Sequence, residues 1–129
     1  MIRNAQCLVI QRLDSDESLQ AYFKSKTGLR FTVTTNPNEI VPPSGFLSLA
    51  GGEIYAGGRT SEISFSMIIL LPQFKDTFEC LEALDGILIS LFRIKNNSGM
   101  VTSIRVGDMI PPVEGDPSWT IPITIVMTI

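Results

Sequence analysis

The sequence predicts an α+β fold: a single domain over 1–129, with a mixed or mainly antiparallel sheet of four to five strands, one long helix packed on it, and helices at the N-terminus. Three stretches predict this. From Trp119 to Ile129 the chain carries no charge and sets Trp119, Ile121, Ile123, Ile125, Met127 and Ile129 at every second position. That period lines one face of an extended strand. Ile63, Phe65, Met67, Ile69 and Leu71 repeat the rhythm, while Phe74, Phe78, Leu81, Leu84, Leu88 and Leu91 recur at helical spacing between the two. Helices that bury one stripe against one sheet face give the α+β class.

Element by element, Ile2, Ala5, Val9 and Leu13 recur at three- and four-residue spacing and predict a helix over 2–13. Asp14, with Glu17 three positions on, resembles a capping box for a second short helix. That helix turns Leu19, Tyr22 and Phe23 inward and stops at Gly28, a favoured C-terminal glycine. Phe31 to Thr35 is β-branched and alternating, and Asn36-Pro37-Asn38 turns the chain. Ile40 to Gly58 is rich in proline and glycine, with two short strands expected near Phe46–Leu49 and Glu53–Tyr55 as a hairpin. Glu62 to Leu71 is the next strand, and Ile68 and Leu70 on its second face predict an end buried on both sides. Pro72 ends it. The main helix spans Phe74 to Lys95, its stripe widened by Ile87 and Phe92, with Asp76 and Glu79 near its start and Arg93 and Lys95 near its end. Asn96 to Gly99 stops it, Met100 to Ile110 is a strand, and Pro111 to Pro117 is a loop. The strand–helix–strand from Glu62 to Ile110 fits either a crossover or an antiparallel return.

The C-terminal strand sets the strongest demand. Burying its six apolar side chains is worth roughly 9–18 kcal/mol gross. The core, a neighbouring strand or another subunit must therefore cover it. Pro122 lacks a ladder donor and is tolerated mainly at an edge or bulge, which points to cover from another chain or a loop.

Composition narrows the class. With 44% hydrophobic and 18% charged residues the chain is globular in character, and a net charge of −3 gives no global attraction for nucleic acid. Lys24, Lys26 and Arg30 complement a helix C-terminus. The first apolar run is too short for a signal peptide, and the longest, Met67 to Pro72, is far below a membrane span. Cys7 and Cys80 read as buried free thiols suited to a reducing cytoplasm.

Reactive constellations are sparse. The chain has no histidine, which removes the commonest general base and metal ligand. Asp14, Asp16 and Glu17 read as helix caps rather than a calcium loop, and Gly107-Asp108 and Gly115-Asp116-Pro117 as sharp turns. No catalytic, cofactor-binding or metal-binding residue is expected, and the chain reads as a protein that is not an enzyme. The candidate positions are for subunit contact: Gly51, Gly52, Gly57 and Gly58 in a loop able to order against a neighbour, Trp119 as an aromatic anchor, and Pro122.

The succession of Ile2–Leu13, Phe31–Tyr55, Ser61–Leu70, Phe74–Lys95, Met100–Ile110 and Trp119–Ile129 resembles the tail terminator (tail completion) proteins of long-tailed bacteriophages. The resemblance implies a homohexameric ring on the last ring of tail-tube subunits. Such a ring stops polymerisation, caps the sheath where one exists, and joins the tail to the neck and head-completion proteins. It implies a place at the tail–neck junction of the virion, assembly in the host cytoplasm, and neither membrane nor sequence-specific nucleic-acid binding. Other readings stand beside it: another tail or neck component such as a tube subunit, a small ligand-binding regulatory domain with Pro42–Gly58 as a lid, or an enzyme working with Asp, Glu, Lys or Tyr.

Overall fold

In the computed structural model, which describes residues 2–55, 60–94 and 100–128, three helices and five strands follow one another along the chain. They are α1 (Ile2–Asp14), α2 (Glu17–Thr27), β1 (Thr32–Thr34), β2 (Ser44–Glu53), β3 (Thr60–Leu70), α3 (Thr77–Phe92), β4 (Val101–Val106) and β5 (Trp119–Thr128), with a 3₁₀ turn at Pro37–Glu39. The strands form one mixed sheet in the order β1-β2-β3-β5-β4. β1 runs parallel to β2, and the other neighbours are antiparallel. β3 and β4 therefore run the same way with β5 between them, so α3 belongs to a crossover and not to an antiparallel return.

Period-two alternation does what the sequence asks of it. Ile63, Phe65, Met67 and Ile69 of β3 and Ile121, Ile123, Ile125 and Met127 of β5 are buried, in one core with Ala5, Val9 and Leu13 of α1, Leu19 and Phe23 of α2, and Leu84, Ile87 and Leu91 of α3. The helices thus cover one face of the sheet. The other face is built from Ser48, Ser64, Ser66, Thr120 and Thr124, with Ile68 and Leu70 toward one end, all half-buried. The expectation of a β3 end buried on both sides is corrected here, because no described helix lies over Ile68 and Leu70.

Local chemistry fixes the boundaries. The α2 N-cap is Asp16, not Asp14: its carboxylate accepts the Leu19 N–H at 3.1 Å and the Arg12 guanidinium at 2.9 Å. Gly28 closes α2 with φ 78°, the left-handed region glycine favours. Gln20 is a buried amide with every role filled. It donates to the carbonyls of Leu13 and Phe31 at 3.0 and 2.8 Å and accepts the Phe31 N–H at 2.9 Å, tying the end of α1 to the approach of β1. Ile2 is exposed, and Tyr22, Cys7 and Cys80 are half-buried instead of buried, both thiols being free.

Two further expectations change. The hairpin expected near Phe46–Leu49 and Glu53–Tyr55 is one continuous strand, β2, with an irregularity between Leu49 and Gly51. The stretch expected as a lid is therefore largely sheet. Pro122 does not mark an edge, for β5 lies between β3 and β4. Its carbonyl accepts the Gly107 N–H at 2.9 Å, and in an antiparallel ladder a residue's N and O point to the same side. The missing donor therefore faces β4 just beyond its end at Val106, and the β3–β5 ladder loses nothing.

Candidate assembly surface

Helix α3 carries more apolar residues than one face holds. Its N-cap Asp76 accepts the Glu79 N–H at 2.9 Å. From there Ala83, Leu84, Ile87, Ser90 and Leu91 turn into the core. Ser90 meets Arg12 of α1, and Glu79 meets Tyr22 and Lys26 of α2 at 2.8 and 3.0 Å. At 100° per residue, Phe78, Leu81 and Phe92 lie on the side turned away from α1 and α2. They are exposed, Phe78 at 70%, together with Ile89 and the carboxylates of Glu82 and Asp85. Of the predicted stripe, Leu84, Ile87 and Leu91 lie in the core and Phe74 and Leu88 pack against it, whereas Phe78, Leu81 and Phe92 face outward. Four large apolar side chains thus share one exposed side of α3 with two carboxylates. A surplus of apolar residues at two helical phases was the signal in the sequence.

The positions expected at a subunit contact are dispersed. Gly51 and Gly52 sit in the last part of β2 and are exposed. A Cβ on Gly52 would stand 2.5 Å from the Glu62 carbonyl oxygen, so close strand pairing requires glycine there. Trp119 opens β5, half-buried against the core, and borders a shallow groove with Pro72, Phe74, Cys80 and Pro112. Pro122 is 3.2 Å from where a Gly107 Cβ would stand. Gly57 and Gly58 lie outside the described residues. Trp119 and Gly52 thus have evident structural duties, and the four described positions lie on two different strands, β2 and β5, with β3 between them.

Electrostatics around these surfaces serve the fold. Burial raises the Asp16 carboxyl, but the Leu19 N–H, the Ser90 hydroxyl and Arg12 outweigh it and hold the group below the usual carboxylate range. Burial pushes the Cys80 thiol up, away from the reactive thiolate. On the uncovered sheet face Arg105 reaches Glu62 at 2.7 Å, and the hydroxyls of Ser64 and Thr124 share a hydrogen bond at 3.0 Å. Among the described residues no group of three or more Cys, Asp or Glu side chains is placed to hold a metal ion, and no helix is long and apolar enough to cross a membrane.

No protein-family model matches the chain, and no curated protein does. Its fold is similar to that of a chain in a solved structure described as the virion of a native gene transfer agent particle, with a TM-score of 0.60. The alignment covers 98% of this chain and 96% of that one at 13% sequence identity.

Proposed function

We propose that this protein is a structural component of a phage-type virion, a tail terminator that assembles as a homohexameric ring, caps the tail tube and presents a surface to the neck. The observation that carries the reading is the end-to-end correspondence of fold with a chain of a virion particle, which leaves almost no part of either chain unmatched. The exposed apolar stripe of α3 supports it, since it is surface of the kind that assembly conceals. In this reading the protein works by fitting surfaces to copies of itself and to a tube end, and turns over no substrate. Its partners are the tail-tube protein, the neck and head-completion proteins and, where the tail contracts, the sheath.

Electron microscopy of the purified protein, alone and mixed with tail-tube subunits, tests this. Closed rings, and tubes ending in one added ring, are the expected result. Long tubes grown from this protein alone identify a tube subunit instead. Monomers that leave tube ends bare remove the reading.

A further inference from the structure

Among the described residues the sheet has two open edges, and they match. β1 pairs with β2 only at Ser44, Gly45 and Phe46, so from Leu47 to Glu53 no described strand lies beside β2 on that side. The Thr32 N–H donates to the Pro43 carbonyl. Alternate residues from Pro43 onward therefore face that side, and Leu49 turns its N–H and C=O outward. At the opposite edge the Gly107 N–H donates to Pro122, which sets Arg105 toward β5 and turns the backbone of Ile104 and Val106 outward.

These edges stand at the same height in the sheet. Leu49 is opposite Phe65, Phe65 opposite Ile123, and Ile123 opposite Val106; Glu53, Glu62, Val126 and Ser103 align in the same way. β1 fills one half of its edge, and β4 lies level with the half that β1 leaves empty. Strand direction agrees as well, because successive antiparallel pairings set β4 opposite in sense to β2. Leu49 and Val106 both pair with residues whose side chains point to the helix-bearing face, and Glu53 lies two sheet rows from the level of Arg105. Each edge has one irregularity, at Leu49/Gly51 and at Val101/Ser103. Bulges of this kind discourage indiscriminate pairing and leave a short stretch that fits a specific partner.

We propose that copies of this chain join head to tail, the outer edge of β4 in one copy adding to the free half of β2 in the next, so that one sheet runs through the assembly. The two edges differ, so the contact is heterologous and closes into a ring or runs on as a filament. The inference rests on the ring-forming reading above, which it deepens by naming the contact between copies.

Paired cysteines test it, in a Cys7→Ser, Cys80→Ser background with tube subunits present. The double variant Leu49→Cys, Val106→Cys should give on oxidation a ladder of linked copies, and the two single variants mixed should stop at linked dimers. Leu49→Pro removes an N–H that faces away from β3 and beside which no described strand lies. It should keep the wild-type circular dichroism and melting temperature while weakening self-association about tenfold or more. Rings that form without the cross-link, and equally well from folded Leu49→Pro, overturn the contact and leave the capping function standing. A wild-type chain that neither associates nor binds tube ends removes the function and the contact together. If Leu49→Pro fails to fold, the cross-link alone decides.

Discussion

Asp16 and Gln20 act on neighbouring backbone and are the residues on which the helical layer turns. Asp16→Ala removes the α2 cap and the Arg12 ion pair together, for an expected loss of about 1–3 kcal/mol measured by denaturant unfolding. Because the folded state lowers the Asp16 pKa, its contribution is complete above the unfolded carboxylate range and is lost as pH falls through the lowered value. Wild-type melting temperature should therefore fall more steeply than that of Asp16→Asn below about pH 4. Gln20→Leu strands the buried Phe31 N–H and two carbonyls, at a cost on the order of 3 kcal/mol, whereas Gln20→Glu keeps only the acceptor. Of the two, only a capping role for Asp16 was legible from sequence, and there it was shared with Asp14 and Glu17. A buried glutamine is recognised by backbone groups seven and eleven positions away, and no periodicity encodes those distances. The cap was misplaced by two residues because Asp14 and Asp16 both precede the helix, and only the geometry shows which carboxylate meets the Leu19 N–H.

Among elements, β3, β5 and α1 were legible because one face of each is apolar at a clean period and that face alone decides the phase. β2 was not. Gly51-Gly52 looks like a turn in sequence, yet glycine stands there because the Glu62 carbonyl approaches too closely for a side chain. Helix α3 was found with its inward residues Leu84, Ile87, Leu88 and Leu91, but the stripe was drawn too wide, since Phe78, Leu81 and Phe92 are apolar as well and sequence does not separate the two sides. The two sides separate experimentally. Leu84→Ala or Ile87→Ala should cost about 2–5 kcal/mol in stability by creating a cavity. Phe78→Ser with Leu81→Ser should leave unfolding free energy within about 1 kcal/mol of wild type. The same double change should impair ring formation or tube-end binding, scored by sedimentation and electron microscopy. Loss of stability instead would place the outward stripe in the core after all.

For the whole molecule, the sequence carried the class of fold and most of its element order, while strand order depended on contacts it does not encode. The resemblance to tail terminators suggested a role, and the similarity to a chain of a virion particle at 13% identity is a similarity of fold. The uncovered sheet face is hydroxyl-rich, with Glu62 and Arg105 as an exposed ion pair across it. Exposed pairs contribute little to stability. Glu62→Gln should accordingly leave the melting temperature within a few degrees of wild type, and any larger effect on capping, read by microscopy of tube ends, would assign that face to a partner.

β5, an interior strand of the sheet, joins β3 to β4 from a later point in the chain than either. Until β5 leaves the ribosome, β3 and β4 have nothing between them, and the apolar rows on both stay open to solvent. A growing polypeptide therefore cannot complete the sheet before β5 has been made. Stalled chains ending before Trp119 should be digested by protease throughout, while the released protein resists.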